Sequence, residues 1–304
     1  MQKLEEPRQS SMSAPAVPLP VSVIVPVRNE ARNLARCLQS LSGVGEIYVV
    51  DSQSSDETAE IARSFGARVV QFHYAGGWPK KRQWAMETLP LAHDWVFLVD
   101  ADEALTPELA EEMRQAIQDP RFDGYYIVLQ MFFLGRALRH SGARFYKLSL
   151  FRRGKGRFEW RLKDQDASMA DMEVHEHVIV EGKSARLKNP LLHHNVESLA
   201  RYIQKRDEYS NWDARVWLEG ETKSNYAGLR DLPPSLFGSQ AQRRRWLRKR
   251  LFTLPGSPFL LFIYRYVFRL GFLDGVPGLI YCGFQGIQFF QIKAKIYELR
   301  SRKD

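Results

Sequence analysis

The chain has 304 residues and a net charge of +9, and this length favours one large α/β domain with an appendage over two equal domains. Apolar residues make up 44% of it, so a sizeable core can be buried. The only two cysteines, Cys37 and Cys282, lie far apart. They argue against a disulfide framework or a zinc site, and they are typical of a reducing compartment.

The positive charge is concentrated at the end of the chain. From residue 240 onward there are thirteen Lys and Arg against three Asp and Glu, and the preceding residues are close to neutral. Such a segment indicates either nucleic acid or an anionic membrane as its partner. Residues 1–20 are polar, contain Pro and Ser, and lack an apolar signal-peptide core, so they are predicted to be a disordered tail.

Strands and helices are predicted to alternate through the first part of the chain. "VSVIVPV" (21–27) is continuously apolar, as in a central parallel strand buried on both faces. Asn29 is a candidate cap for the helix that follows, Gly66 a left-handed terminator of the second helix, and Thr106-Pro107 the start of a later one. Three further strands are expected at 46–51, 67–72 and 95–100. This alternation predicts a parallel doubly wound sheet.

The pattern changes after Gly124. Short strands with hairpin turns are predicted first, and a long helix follows at about 197–218. A loop (219–238) leads to a basic amphipathic helix, "SQAQRRRWLRKRLF", and the remainder (257–292) is apolar and aromatic.

The two common phosphate-binding loops are missing. No G-x-G-x-x-G follows the first strand, and no G-x-x-x-x-G-K-[ST] occurs anywhere, which excludes dinucleotide-dependent dehydrogenases and P-loop enzymes. Sheets of this class bind ligands beyond the carboxyl ends of their strands. Asp51, Asp100 and Asp102 lie at those predicted ends.

The apolar run at the start of "VFLVDADEAL" (96–105) ends in three acids within four residues, Asp100, Asp102 and Glu103. Residues two apart on a strand point to the same side, so Asp100 and Asp102 are expected to face one site. Paired carboxylates suit Mg²⁺ or Mn²⁺, which complete their coordination with substrate phosphates. The alternative is that the acids are solvated or cap the next helix. Their position after three similar strands favours the metal.

Five segments, in this order, resemble the family 2 glycosyltransferases with a GT-A fold, and most closely the lipopolysaccharide-core β-glucosyltransferases. They are "VSVIVPVRNEARNL", "VVDSQSSDETAEIA", "GGWPKKRQWAM", "VFLVDADEAL" and "VHEHVIVEG". The resemblance runs from about Val21 to the C-terminus. It implies an α/β GT-A domain at 21–235, a mostly parallel sheet flanked by helices, with a helical appendage at 236–304. It also implies inverting transfer of a hexose, with glucose expected, from a UDP-sugar.

The resemblance assigns the donor site residue by residue. Pro26, Glu30 and Asp51 would hold the nucleoside. Asp100 would contact the nucleoside side of the donor site. Asp51 would accept the imide hydrogen of uracil, which cytosine lacks. The alternative for Asp51 is an ordinary turn residue.

The diphosphate and metal residues follow from the same resemblance. Lys81 and Arg82 would neutralise the pyrophosphate, unless they form a solvated helix face. Asp102 would bind the metal. His193 best matches the family's histidine ahead of the long helix, although a structural, hydrogen-bonded histidine is an equal alternative.

An inverting transfer needs a base for the acceptor hydroxyl. Glu176 in "EVHEHVIV" matches the family position, Glu173 is the nearest competitor by type, and a surface salt bridge is the alternative role of Glu176. Ser149 departs from the arginine expected in relatives, which puts one acceptor- or phosphate-side contact in doubt.

The basic C-terminal segment favours a membrane over nucleic acid. Its basic residues (Arg243–Arg245 and Arg248–Arg250) are followed by aromatic and aliphatic runs, as in interfacial attachment to anionic lipid. The alternative is packing on the catalytic domain. The acceptor is then expected to be a membrane-held glycolipid or lipid-linked saccharide, and the protein is expected on the cytoplasmic face of the inner membrane, peripheral or monotopic.

Two rival functions stay open on the sequence alone. A polyprenyl-phosphate sugar synthase has an acceptor that is already ionised and needs no base. A non-catalytic, membrane-bound nucleotide-sugar-binding protein would need Asp51 but not Glu176.

Overall fold

The computed structural model describes residues 17–160, 176–195, 198–219, 233–238 and 240–302. The strands are β1 (Leu19–Val27), β2 (Val44–Asp51), β3 (Arg68–Gln71), β4 (Trp95–Leu98), β5 (Glu103–Ala104), β6 (Gly124–Phe133), β7 (Arg136–Ala137), β8 (Phe145–Arg152), β9 (Gly156–Phe158), β10 (Val178–Val180) and β11 (Ser184–Asn195). The helices are α1 (Ala31–Ser40), α2 (Thr58–Ser64), α3 (Lys81–Thr88), α4 (Pro107–Ala116), α5 (Leu199–Glu219), α6 (Gln240–Thr253), α7 (Ser257–Ile263) and α8 (Gly275–Ser301).

The first half of the chain forms the parallel part of one sheet. Its strands lie in the order β3-β2-β1-β4, and all three pairings are parallel. Alternate side chains of β1 enter two separate cores, with Val23 and Val25 on one face and Ile24 on the other. This confirms the prediction of a central strand buried on both faces.

The second half makes the sheet mixed. The order continues β4-β8-β6-β11-β5, in which β8 and β5 pair antiparallel and β6 pairs parallel with β11. Only a loop and the short β7 connect β6 to β8, so the chain returns antiparallel, as such connections require. Strands β9 and β10 form a separate two-stranded sheet.

Several local signals behave as predicted, and one does not. Thr106 caps α4 by accepting a hydrogen bond from the Leu109 amide at 3.1 Å, and Gly66 is left-handed with φ of 75°. The prediction for Asn29 was wrong. Glu30 precedes α1, and the Asn29 side chain instead accepts the Ser55 amide at 2.8 Å. Asn29 therefore ties the loop after β1 to the loop after β2.

The boundaries of the predicted tail differ slightly. Strand β1 begins at Leu19, whose side chain is buried and whose amide donates to the Gly43 carbonyl at 2.8 Å. The last two residues of the segment predicted as a tail are therefore in the sheet. Residues 1–16 lie outside the described part of the chain.

The C-terminal helices pack on the rest of the protein. Helix α5 packs against α8. The centroid of the Phe252 ring on α6 lies 4.2 Å from that of Trp217 on α5 and 4.9 Å from that of Phe289 on α8. A π-helical turn (Tyr264–Phe268) and a 3₁₀ turn (Gly271–Asp274) connect α7 to α8. Within the described ranges, none of the helices combines the length and the apolar character needed to cross a bilayer.

Part of the basic helix is engaged internally. Arg245 on α6 forms a bidentate ion pair with Glu159, whose side chain is fully buried, and Arg248 pairs with Asp213 at 2.8 Å. Arg243 and Lys249 on the same helix are exposed. A count of charges treats these residues alike, but their surroundings divide them into internal and surface residues.

Replacing Arg245 with methionine is expected to lower the free energy of unfolding by about 3–5 kcal/mol, because the buried Glu159 carboxylate loses the guanidinium that pairs with it. Urea denaturation measures the change. Arg243→Met, on the exposed side of the same helix, is the control and is expected to stay within about 0.5 kcal/mol of wild type. Equal effects of the two substitutions would contradict the assignment.

The pH dependence of this pair has a definite sign. Burial alone would raise the pKa of Glu159, but its hydrogen bonds and ion pair with Arg245 hold that pKa below the usual value. The contribution to stability is therefore complete above the ordinary glutamate pKa and is lost as the pH falls through the lowered one. The difference between wild type and Arg245→Met should shrink in acid.

Candidate active site

The predicted site residues gather at one edge of the sheet. Strands β1, β2 and β4 are parallel, and Val27 at the end of β1 is in register with Asp51 at the end of β2. The amide of Val99, just after β4, donates to the Ile24 carbonyl of β1 at 3.2 Å. The carboxyl ends of three strands thus meet at the place where sheets of this kind bind ligands.

Asp51 is buried and held in one orientation. Its side chain accepts hydrogen bonds from the Ser54 amide at 3.1 Å and from the Gln71 amide nitrogen at 2.9 Å. A carboxylate keeps further lone pairs after these bonds, so it can still accept a donor from a ligand.

Pro26 and Glu30 flank this position. Pro26 is buried in β1, and Glu30 lies at the start of α1. The Glu30 carboxylate accepts from Asn33 at 2.8 Å and lies 3.7 Å from the ammonium of Lys205 on α5. Helix α5, from the second half of the chain, therefore reaches the nucleoside side of the predicted site.

Asp100 and Asp102 do not lie on a strand, so the prediction that they point to the same side of one was wrong. Strand β4 ends at Leu98, and residues 100–103 form a turn in which the Glu103 amide donates to the Asp100 carbonyl at 2.9 Å. The buried Glu103 closes the turn by accepting the Asp100 amide at 2.8 Å. The turn, and not the pleat, sets the direction of each carboxylate.

Asp100 is bound to two cations. Its carboxylate pairs with Arg82 on α3 and, at 2.8 Å, with Lys147 on β8. Burial alone would raise the pKa of Asp100, but these two charges hold it well below its usual range. The carboxylate is therefore ionised, and its charge is balanced within the protein.

Asp102 faces a different partner. Its Oδ2 lies 3.5 Å from Nε2 of His193, which is on β11 in register with Glu103. Burial raises the pKa of Asp102 although the charge of His193 opposes this shift, and the surrounding acids raise the pKa of His193 to about 9 against the effect of burial. The structure thus brings together the two residues assigned to the metal, and it gives Asp102 a different partner from those of Asp100.

Asp102 and His193 are residue types that can bind a divalent cation. The raised pKa keeps the His193 ring protonated at neutral pH, so the ring would have to release that proton before it could hold a metal. Over the described residues, no three His, Cys, Asp or Glu side chains are placed to hold a metal by themselves. Asp102 and His193 would supply two ligands, and diphosphate oxygens and water the rest.

Three consecutive cations at the start of α3 reach three different targets. Lys81 is buried and donates to the Val27 carbonyl at 2.7 Å, and Arg82 pairs with Asp100. Lys80 lies 3.4 Å from the carboxylate of Glu176, and both of these side chains are fully buried. The solvated helix face considered for Lys81 and Arg82, and the surface salt bridge considered for Glu176, are both inconsistent with this burial.

Some neighbours of the site carry no signal in the sequence. Lys147 is one of them, because only the pairing of β8 with β4 brings it to Asp100. Tyr209 on α5 is another, and burial together with the charges of Asp102 and Asp100 raises its pKa. Ser149 is fully buried, and its hydroxyl has no hydrogen-bond partner in the described part of the chain. Glu173 and His175 lie outside the described residues.

The chain is similar in sequence to known glycosyltransferases. The chain is 27% identical to the lipopolysaccharide core biosynthesis glycosyltransferase LpsC of Rhizobium meliloti. The match runs over 292 residues and covers 94% of each of the two chains. It is 28% identical over 218 residues to an uncharacterized glycosyltransferase of Rickettsia conorii, covering 68% of this chain and 73% of the relative.

A solved structure shares the fold over nearly the whole chain. This is the mannosyltransferase PcManGT from Pyrobaculum calidifontis, in complex with GDP-Man and Mn²⁺. Its TM-score is 0.50 at 14% identity, over 93% of this chain and 88% of that one. Together with the family match it confirms the GT-A fold class. Residues 22–176, just over half of the chain, match the family model described as glycosyl transferase family 2. The chain belongs to that family of glycosyltransferases.

Proposed function

We propose that the protein is an inverting glycosyltransferase that moves a hexose, expected to be glucose, from a UDP-sugar to a hydroxyl of a membrane-held glycolipid. The observation that carries the proposal is the grouping of Asp51, the Asp102–His193 pair and buried cations at the carboxyl edge of the sheet. The acceptor class follows from the likeness to LpsC, which is named for lipopolysaccharide core biosynthesis.

Each part of the site has a chemical task in this proposal. The Asp51 carboxylate accepts the imide hydrogen of uracil, and Pro26 and Glu30 border the nucleoside. Mg²⁺ or Mn²⁺ on Asp102 and His193, when bound, supplies positive charge to the leaving diphosphate. Arg82 and Lys81 add to that charge from α3. Glu176 takes the proton of the acceptor hydroxyl as the new glycosidic bond forms on the opposite face of the sugar.

Attachment to the cytoplasmic face of the inner membrane is part of the proposal, and anionic lipid is its partner there. It is supported by exposed apolar side chains that continue from α7 through the two turns into α8. Those most exposed are Phe259, Phe268, Val276, Phe290 and Tyr297. An apolar groove of about 280 Å³ also opens between α7 and α8. Aromatic and aliphatic residues of this kind insert at the lipid headgroup boundary.

Release of UDP from a set of nucleotide sugars tests the donor. We expect turnover with UDP-hexoses, and at most weak turnover with CDP- and GDP-sugars. Asp51→Asn should weaken UDP binding about 10- to 100-fold, because a hydrogen bond to a charged acceptor contributes about 1.5–3 kcal/mol. Isothermal titration with UDP measures that loss.

Asp56→Asn is the matched control, since Asp56 lies in the same loop and accepts from Thr58 and Ala31 instead. It should leave the preference for uracil intact. A preference for a GDP-sugar, or an Asp51→Asn protein that binds UDP as tightly as wild type, would refute the assignment of Asp51.

A further inference from the structure

A second charged pocket lies outside the donor site. It has a volume of about 290 Å³ and is open to solvent. Its wall is formed by the loop after β7 and by the turn before the 3₁₀ segment. The residues that line it include Arg139, His140, Arg144, Phe268, Arg269 and Leu270.

The three guanidinium groups of this pocket carry uncompensated charge. Arg139, Arg144 and Arg269 are exposed, and none of their side chains has a hydrogen-bond or ion-pair partner in the described part of the chain. Arg244 and Arg265 add positive charge nearby. Burial and the charges of Arg265 and Arg269 lower the pKa of Arg244. The pocket is therefore suited to an anion.

Asp274 holds the pocket wall in place and makes its hydrogen bonds to uncharged groups. Asp274 is buried, and its carboxylate accepts the amides of Arg139 and His140, both at 3.0 Å, and the Ser141 hydroxyl at 2.7 Å. The Ser141 amide in turn donates to the Arg269 carbonyl at 3.0 Å. The two segments that carry the arginines are thus fixed to each other before any ligand binds.

The pocket opens at the same edge of the sheet as the donor site. Strand β6 runs parallel to β4, because both pair antiparallel with β8. The loop after β6 therefore leaves from the carboxyl edge. Arg144 precedes Lys147, the partner of Asp100, by three residues, which is about 10 Å along an extended chain.

Apolar side chains surround the pocket on the appendage side. Phe268 and Leu270 line it and are 73% and 44% exposed, and Phe272 and Leu273 in the next turn are 46% and 50% exposed. A soluble anion gains nothing from these groups. A lipid headgroup presents a phosphate together with an apolar layer, which matches both halves of this surface.

We infer that this pocket binds the phosphate of an anionic lipid headgroup and so seats the membrane beside the donor site. Arginine binds phosphate through two parallel hydrogen bonds, which lysine cannot reproduce. The inference rests on the membrane attachment proposed above, but not on the identity of the sugar donor.

Flotation of the full-length protein with vesicles tests the pocket. The vesicles are phosphatidylcholine alone, or phosphatidylcholine with phosphatidylglycerol. Wild type should float with the anionic vesicles. The Arg139→Gln/Arg269→Gln protein should bind them about 30-fold more weakly, from two basic residues near an anionic surface. The control Arg63→Gln/Arg114→Gln removes the same charge from α2 and α4 and should change binding less than about twofold.

A double substitution that preserves the charge distinguishes specific phosphate recognition from general electrostatic attraction. Arg139→Lys/Arg269→Lys keeps the net charge but loses the planar fork, and it should bind several-fold more weakly. Binding equal to wild type would overturn the pocket while leaving the attachment standing. A wild-type protein that floats with no vesicle would overturn both.

Inorganic phosphate at constant ionic strength distinguishes the source of the anion. Phosphate could raise the melting temperature of wild type but not that of Arg139→Lys/Arg269→Lys, while both proteins bind vesicles equally well. In that case the ligand is a soluble phosphate and the lipid inference is wrong. UDP binding, measured on every variant, reports an intact fold. A failure of UDP binding in wild type would refute the donor and leave the flotation result valid.

Discussion

Glu176→Gln is expected to lower sugar transfer by about 10²- to 10⁴-fold, the usual contribution of a general base, while UDP binds as in wild type. The glutamine keeps the shape of the side chain but cannot take a proton from the acceptor hydroxyl. Initial rates of transfer, compared with UDP affinity from calorimetry, separate the two effects. Unchanged turnover would remove Glu176 from the mechanism.

The buried contact with Lys80 supplies the control for this experiment. The two charged groups are 3.4 Å apart and fully buried, so the substitution removes one anionic partner of the buried ammonium and destabilises the protein. Lys80→Met/Glu176→Gln removes both charges and should recover much of the unfolding free energy. If Glu176 acts only through the fold, transfer should recover in parallel. If it is the base, transfer should stay low.

The acceptor in the same assay distinguishes two enzymes. A hydroxyl acceptor must lose a proton during transfer, whereas a polyprenyl phosphate is already ionised. Activity of Glu176→Gln on undecaprenyl phosphate, with none on a glycolipid, would assign the protein as a polyprenyl-phosphate sugar synthase. Loss on every acceptor with retained UDP binding supports the proposed hydroxyl transfer.

Asp102→Asn is expected to lower Mg²⁺- or Mn²⁺-dependent transfer by about 100-fold or more. Losing groups that only support a metal ligand already costs 10- to 100-fold, and here one anionic ligand of a small set is lost. The affinity for Mn²⁺ in the presence of UDP, measured by electron paramagnetic resonance, should fall in parallel.

Asp119→Asn is the matched control, because Asp119 pairs with Arg121 on an exposed loop away from the carboxyl edge. It should leave both transfer and Mn²⁺ affinity unchanged. Full activity of wild type in excess EDTA would refute metal dependence altogether.

Local patterns predicted the first half of the fold well, because its signals are short-range. The apolar run of β1, the left-handed Gly66 and the Thr106 cap each depend on neighbours in the chain, and each forms as expected. Asn29 failed because its side chain reaches a loop 26 residues away. Cap propensity holds no information on such a contact.

The site was predicted as a set of residues more completely than as a geometry. Asp51, Asp100 and Asp102 could be placed at strand ends from sequence, but the turn that directs Asp100 to Arg82 and Lys147 depends on Glu103 and β8. Helix α6 shows the same limit. Its basic composition indicated a surface, yet Arg245 pairs with a buried acid that lies 86 residues earlier in the chain.

The N-terminal end of α3, with the Lys80 that precedes it, mechanically couples three contacts. Lys80, Lys81 and Arg82 are successive residues, so a small rotation of this helix end must move their contacts with Glu176, with the Val27 carbonyl and with Asp100 at the same time. A substitution that shifts this helix end toward or away from Asp100 should therefore also disturb the environment of the proposed base. Changes of sugar specificity within this architecture should therefore come from residues other than Lys80, Lys81 and Arg82, and these three should be retained together.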